Sequence, residues 1–262
     1  MWRYVRLYLH FVRFSFSRAM EFRVDFFFRI FMDCLWYGVQ FAFFRIIYLH
    51  TPLLGGWNLD QVIIFTAAFI LLDAVNMTVF ANNLWWLPFF INRGDLDYYL
   101  VRPVSPLYFV SLRDFAANSF LNLVMASAIL WWALARYPQP LGAGRILIFL
   151  LLLGIGSILY YLIDMLFLIP TFWFHSHMGL REIGFQIRKY AERPHEIFTG
   201  WVRRTLVSAI PLALVASYPT WILFNGLTFE RFAHILIVVC ALFSFMVWFW
   251  NRGLRAYSSA SS

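Results

Sequence analysis

Six apolar segments, each long enough to cross the hydrocarbon core of a bilayer, constrain this sequence more than any other feature. They lie near residues 25–49, 60–80, 114–134, 145–170, 205–225 and 231–250. Hydrophobic residues make up 62% of the 262 residues, a share that soluble domains rarely reach. The sequence therefore predicts an all-α, polytopic membrane protein with six transmembrane helices in a single domain, residues 1–262, and excludes a soluble globular fold.

The basic residues predict how the chain is oriented in the membrane. With the N-terminus inside, sixteen of the 21 basic residues fall in the four inner segments, which are 1–23, 81–113, 174–204 and 251–262. The outer loops carry almost none beyond Arg136 and Arg231. Because positive charge is enriched on the cytoplasmic side, both termini are predicted to be cytoplasmic in a multi-pass protein of the cell (inner) membrane. Basic residues in short flanks between spans do not indicate a nucleic-acid partner, despite the net charge of +8.

Residues 1–23 predict a further helix that lies along the membrane surface. Cationic side chains recur on one face at helical spacing, and apolar side chains recur on the opposite face. The cationic face is Arg3, Arg6, His10 and Arg13, and the apolar face is Val5, Leu9, Val12 and Phe16. Such an amphipathic N-terminal interfacial helix is expected to contact the headgroups of membrane lipids.

The stretch INRGDLDYYLVRPVSP breaks the apolar pattern between the second and third segments. Gly94 permits a turn, and Asp95 and Asp97 favour a helix start because their side chains accept hydrogen bonds from free backbone N–H groups. Pro103 and Pro106 are expected to end that helix. The pattern predicts a short, charged, amphipathic cytoplasmic helix, although a plain solvated loop would carry similar residues.

The segment GDLDYYLVRPVSPLY resembles the one that follows the second span in permease subunits of ABC-2-type transporters, in a branch long catalogued as a domain of unknown function. The proline pattern of IPLALVASYP and the tail NRGLRAYSSASS look like that branch as well. The resemblance implies a permease, mostly an exporter, that pairs with a second permease subunit as a homo- or heterodimer. It also implies a separate ATP-binding cassette subunit on the cytoplasmic side. ATP would then bind to that partner, this chain would hold no cofactor, and it would not itself be an enzyme.

The same resemblance makes the charged helix a coupling helix that contacts the ATP-binding subunit. The predicted coupling residues are Arg93, Gly94, Asp95, Leu96, Asp97, Tyr98, Tyr99, Arg102 and Pro103. Leu96, Tyr98 and Tyr99 are expected to be the buried anchors of the contact, while the charges steer and orient it.

Two carboxylates fall near the middle of predicted spans, where a charge is costly unless it is paired or hydrated. Asp73 and Asp164 either line a hydrated translocation path, together with Asn76, or make buried structural contacts. Both interpretations stay open for Asp73, and a structural contact is favoured for Asp164.

Other function classes leave weaker signals. A phosphate-binding Gly-x-x-x-x-Gly-Lys-Ser/Thr motif is absent, and Lys189, the only lysine, follows no glycine-rich loop, so another chain would hydrolyse ATP. His175, His177 and His195 have no cysteine or acidic cluster beside them and are interpreted as interfacial residues rather than metal ligands.

An intramembrane enzyme is the main alternative to a permease. Ser157 and His234 occur in the order of an intramembrane Ser–His dyad, but the small residue expected two positions after the serine is missing, and helix packing explains the local glycines. A six-span enzyme or secondary transporter that acts without an ATPase stays the alternative hypothesis, and a structural scaffold is not excluded.

Overall fold

A computed structural model describes residues 2–19, 23–174 and 178–258, and the regular secondary structure within these ranges is helical. Five helical stretches in this part of the chain are long and apolar enough to cross a membrane. They are Ile30–Ile47, Leu59–Arg93, Ala117–Ala135, Ala143–Phe174 and Phe229–Ala256. The prediction of an all-α, multi-pass membrane protein is confirmed, and five of the six predicted spans are found close to their predicted positions.

Thirteen α-helices occur among the described residues, and short 3₁₀ and π turns join several of them. In chain order they are α1 (Trp2–Ala19), α2 (Arg23–Ile47), α3 (Leu59–Asn76), α4 (Asn82–Arg93), α5 (Asp97–Leu100), α6 (Pro106–Leu112), α7 (Phe120–Ala135), α8 (Ala143–Leu168), α9 (Thr171–Phe174), α10 (Met178–Arg188), α11 (Gly200–Arg204), α12 (Ser217–Asn225) and α13 (Phe229–Ala256).

The second span is the longest because two helices join end to end. α3 begins at a capping box, in which the side chains of Asn58 and Gln61 each accept a hydrogen bond from the other's backbone N–H, at 2.9 and 3.1 Å. A π turn, Met77–Ala81, leads into α4, which contains Pro88. The helical path therefore continues well beyond the predicted span 60–80.

The two ends of the helix bundle differ. One of them, called here the terminal end, holds α1, α5, α6, α9 and the last turns of α13. There the Tyr108 hydroxyl of α6 donates a hydrogen bond to the Tyr4 carbonyl of α1 at 2.6 Å. At the opposite end, the loop that precedes α3 meets the end of α12 through the rings of Trp57 and Phe224.

Residues 178–197 run the length of the bundle without forming one long helix. α10 begins near the terminal end, where Gly184 lies close to the ring of Phe167 in α8. At the last residue of α10, the guanidinium of Arg188 reaches the Asp164 carboxylate of α8 at 3.0 Å. This contact lies about ten residues, or roughly 15 Å, from the end of α9.

The segment then continues along α2 toward the opposite end. The side chain of Gln40 donates a hydrogen bond to Glu192 at 3.3 Å, and the guanidinium of Arg193 stacks on α2 rings further along. The backbone at the end of the segment finally lies against Gly55, in the loop between α2 and α3. The prediction that all of 174–204 lies at the end that holds the termini is therefore wrong.

The predicted fifth span, 205–225, is not found as one helix. The chain forms a π turn, breaks at Pro211, which cannot donate a backbone hydrogen bond, and resumes as a 3₁₀ turn followed by α12. The Val215 carbonyl lies against Gly156 in the interior of α8, whereas Phe224 is back at the opposite end. The stretch between α11 and the end of α12 thus enters the bundle from the opposite end and returns to it.

α3 lies at the centre of the bundle, while α2 and α13 lie at its edge. α3 packs on α2, α7, α8 and α12 and buries most of its side chains. Broad apolar faces of α2 and α13 stay exposed, which suits contact with lipid or with another chain.

Candidate functional site

The segment predicted as a coupling helix forms only one very short helix, and a second helix begins after it. α4 ends at Arg93, and Gly94 follows in the left-handed conformation, with φ of 80°. α5 then covers only four residues. Pro106 is the first residue of α6, and the Ser105 hydroxyl caps that helix by accepting from the backbone N–H of Tyr108 at 3.5 Å. The prediction that Pro106 ends a helix is therefore wrong, because Pro is well suited to a first helical position.

Two of the predicted anchors face the bundle. Leu96 is fully buried, and Tyr99 lies between the rings of Phe90 and Phe109, with centroid separations of 5.3 and 5.2 Å. The Arg113 guanidinium also donates a hydrogen bond to the Tyr99 hydroxyl. Contrary to the prediction, Leu96 and Tyr99 are not available as contact anchors for a partner, and instead they hold α5 against the bundle.

The exposed apolar residues of this region are Tyr98, Leu100 and Val101, called here the α5 ridge. Tyr98 is 69% exposed and Val101 is 83% exposed. Tyr98 belongs to the predicted coupling set, whereas Val101 does not. The signal for Val101 was its spacing of three residues from Tyr98, which places the two on one face of a helical turn.

Polar groups of the predicted coupling set surround the α5 ridge. Arg102 donates from Nε to the Tyr98 carbonyl at 3.1 Å, and its guanidinium lies 5.0 Å from the centroid of the Phe109 ring. Pro103 follows in an exposed bend. α5 has no side-chain cap, so Asp95 occupies the preceding turn without its predicted capping role.

Asp97, the first residue of α5, adjoins the C-terminal end of α13. Burial is the larger cause and the neighbouring Asp97 carboxylate the smaller one, and together they raise the pKa of Tyr257 to about 12. The phenol therefore keeps its proton at neutral pH. This contact joins α5 to the end of the last span.

A partly buried ion pair joins α8 to α10. Arg188 donates a hydrogen bond to Asp164 at 3.0 Å, and the Asp164 side chain is 10% exposed. The Arg188 guanidinium also lies 5.7 Å from the centroid of the Tyr160 ring, and the Tyr160 hydroxyl donates to Asp73 at 3.4 Å. The structure thus brings both predicted carboxylates into one polar cluster, with Arg188 and Tyr160 between them.

The polar cluster extends toward α2 through Glu192. Asp73, Gln40 and Glu192 share the lining of a small cavity, and Gln40 and Glu192 are hydrogen-bonded. Arg188 and Glu192 are absent from the predicted site because the sequence places them in a solvated loop. The signal that could have found them is the run of apolar residues interspersed with the charges from Ile183 to Tyr190.

Asn76, the third predicted path residue, lies at the end of α3. It is 3% exposed, and its Nδ2 atom has no hydrogen-bond partner among the described residues. Asn76 lines a larger cavity together with Asp164 and Arg188.

The residues behind the enzyme alternative are not brought together. The Ser157 hydroxyl is buried and has no hydrogen-bond partner within the described ranges. The His234 Nε2 atom lies 3.1 Å from the Val207 carbonyl. Ser157 and His234 therefore form no dyad in this structure.

The described histidines take no part in a group of side chains suited to a metal. His195 is buried, with Nδ1 2.7 Å from the Ser217 hydroxyl and 3.0 Å from a Glu196 carboxylate oxygen. His175 and His177 lie outside the described residues. Across the part of the chain that the structure covers, no three potential metal ligands cluster.

Comparison with known proteins places these features in a family. A family model described as "ABC-2 family transporter protein" matches residues 34–261, a range that includes the predicted coupling segment and the polar cluster. No significant match is found among curated proteins or solved structures. Proteins of this family are membrane components of transporters rather than catalytic enzymes, and they generally work with ATP-binding subunits. With that match and its apolar helices, the chain belongs to the ABC-2 transporter family and is a multi-pass membrane permease.

Proposed function

We propose that this permease is one subunit of an ATP-driven exporter, that it pairs with a second permease subunit, and that separate ATP-binding subunits dock at its terminal end. ATP belongs to those partners, and this chain needs no cofactor of its own. The α5 ridge carries the proposal. Tyr98 and Val101 project from the terminal end beside charged residues, and exposed apolar side chains rimmed by polar ones are typical of a protein contact.

The distribution of arginines supports a cytoplasmic terminal end. Nine of the 21 basic residues lie in α1, in 81–113 and in 252–258, which are all at that end. Six basic residues lie toward the opposite end, and they are Arg45, Arg136, Arg145, Arg203, Arg204 and Arg231. The excess of basic residues at the terminal end is smaller than the sequence predicts, but it lies at the predicted end. Both termini then lie in the cytoplasm at the inner membrane, and 178–197 supplies the sixth crossing.

The position of α5 favours transmission of movement into the second span. Tyr99 packs on Phe90 of α4 and on Phe109 of α6, so a force on α5 is passed to both helices. α4 continues directly into the π turn and α3, which carries Asp73 and ends at Asn76. Closure of the ATP-binding subunits would shift the population between two packings of this span.

The polar cluster is the part of the membrane interior best suited to the translocation path. Asp73, Asn76 and Asp164 lie along one side of the second span and the facing side of α8. Pairing with Arg188 offsets the cost of a charge at that depth. A shift of the second span relative to α8 would open or close this polar region to water.

The test removes the α5 ridge and leaves the buried residues of α5 in place. Tyr98→Ala combined with Val101→Ala should weaken association with the ATP-binding subunit by about 1–3 kcal/mol, the usual range for the loss of interface anchors. The measurements are co-purification of the ATP-binding subunit with the permease and ATPase activity in membranes.

The matched control is Trp201→Ala. Trp201 is an aromatic residue of α11 that is 76% exposed at the opposite end. This variant should keep both association and ATPase activity. If the α5 ridge variant also kept both, docking at α5 would be disproved.

A further inference from the structure

A cavity of about 660 Å³ lies between the second span, α8 and α10. Aromatic rings form much of its wall, namely Trp85 and Phe89 of α4, Phe167 near the end of α8, and Phe185 of α10. Trp85 is 51% exposed and Phe185 is 49% exposed, so the cavity opens sideways from the bundle. Its volume falls in the range typical of sites for small ligands.

One cation in this cavity, Arg181, forms no ion pair among the described residues, although Glu182 also lines the cavity. The guanidinium of Arg181 lies 3.4 Å from the centroid of the Trp85 ring, and no carboxylate pairs with it among the described residues. Glu182, the next residue, instead accepts a hydrogen bond from Gln186 at 2.5 Å. Stacking on an indole holds the planar guanidinium of an arginine in place and leaves its N–H donors directed to the side. This arrangement suits a phosphate or a carboxylate.

A second ligand group lies deeper, at Asn76. Its Nδ2 donor is buried beside Asp164 but makes no well-formed hydrogen bond to it, so a ligand oxygen can accept from this donor. Arg188, beside it, is two helical turns from Arg181, or roughly 10 Å along the helix axis. Arg188 is already paired with Asp164, so a ligand needs no charge at this depth.

We propose that this cavity binds an anionic phospholipid. The phosphate would lie against Arg181, an ester oxygen would accept from Asn76, and the acyl chains would follow the aromatic wall and leave through the open side. Arg181 lies on the part of α10 nearer the terminal end, where the headgroups of that leaflet would be. A lipid could therefore enter sideways from the bilayer, without crossing water.

The test uses the purified permease alone, without ATP or an ATP-binding subunit, so its result is independent of the proposed transport function. After delipidation in a neutral detergent, phosphatidylglycerol is titrated and bound lipid is counted by native mass spectrometry. Arg181→Gln should weaken binding about tenfold or more, because a charge-assisted contact is lost. The matched control is Arg136→Gln, which removes another arginine stacked on a tryptophan, Trp132 at 5.4 Å, at the opposite end.

A second variant tests the cavity without a change of charge. Ala81 lines the cavity, and Ala81→Leu should fill part of it and weaken lipid binding while Arg181 is intact. Binding equal to wild type in both Arg181→Gln and Ala81→Leu would overturn the proposal, as would equal loss in Arg136→Gln.

Two further probes identify what the cavity recognises. Phosphatidylcholine, which is zwitterionic, should bind more weakly than phosphatidylglycerol and should be insensitive to Arg181→Gln. Inorganic phosphate alone should neither bind measurably nor displace the lipid, because it cannot use the aromatic wall. Equal binding of the two lipids would disprove the anionic headgroup, and displacement of the lipid by phosphate would disprove the amphipathic ligand.

Discussion

Replacing Gly156 by alanine would test the contact that holds the stretch between α11 and α12 against α8. A methyl group at this position would overlap the carbonyl oxygen of Val215 and would lie 3.0 Å from the carbonyl carbon. Both sides of the contact are backbone, so no change of rotamer relieves it, and the two segments must separate by roughly 1 Å. Overpacking costs about 1–3 kcal/mol, and alanine returns roughly 1 kcal/mol of helix propensity. Backbone overlap belongs at the upper end of the range for overpacking. After the gain in helix propensity is subtracted, we expect a net loss of about 2 kcal/mol of stability.

The assay is thermal unfolding of the purified protein in detergent, with Gly154→Ala as the matched control. A methyl group at Gly154 meets nothing within 4 Å, so this variant gains the same propensity on the same helix without the overlap. We expect Gly154→Ala to unfold at the wild-type temperature or slightly above it, and Gly156→Ala to unfold clearly below it. Equal unfolding temperatures for the two variants would refute the close contact between Gly156 and Val215.

Three other expectations follow from burial and pairing. Leu96→Ala should lower the free energy of unfolding by about 2–5 kcal/mol, whereas Tyr98→Ala should change it by less than about 0.5 kcal/mol, and unfolding of the two variants compares them directly. Asp164→Asn should cost about 1–3 kcal/mol because Arg188 loses its hydrogen-bonded carboxylate, and Arg188→Met in the same chain should recover part of it; a double-mutant cycle without coupling would contradict the pair. With both native cysteines replaced, Arg204→Cys should react with a membrane-impermeant maleimide in intact cells, and protection until lysis would instead place α11 on the cytoplasmic side.

The five long spans could be predicted because an apolar run of sufficient length is a local property of the sequence. The course of 178–197 could not, because Arg188, Glu192 and Arg193 make that segment look like a solvated loop. Each of these charges is accommodated by a group far away in sequence, such as Asp164 or Gln40. Contacts between residues so far apart in sequence can be recognised only in the packed structure.

The opposite error affects 205–225, which is apolar enough to be predicted as a span. Its apolar side chains are buried against the chain's own bundle, with Leu212, Val215 and Leu223 almost fully covered. A hydropathy pattern reports that a segment avoids water, but it does not report whether lipid or protein replaces that water.

In the predicted coupling segment, composition shows which residues are apolar, but only tertiary packing decides which of them are exposed. Leu96, Tyr98 and Tyr99 look equivalent in the sequence, because all three are large and apolar on a short helix. Only the fold shows that two of them are buried and that Val101 joins Tyr98 outside. In the proposed coupling role, α5 would be attached to the spans through Leu96 and Tyr99 and would offer Tyr98 and Val101 to a partner, so both sets of apolar residues would be used.

The polar cluster lies on the same helical path as α5. The second span connects α5 to Asp73 and Asn76 through one nearly continuous helical path, broken only by the π turn Met77–Ala81. A π turn is a local departure from α-helical hydrogen bonding, and such departures are frequent at functional sites. Movement of α4 would therefore be taken up at this turn, next to Asp164 and the large cavity. The polar cluster, the π turn and the large cavity thus lie at one level of the bundle, on the helical path that leads from α5.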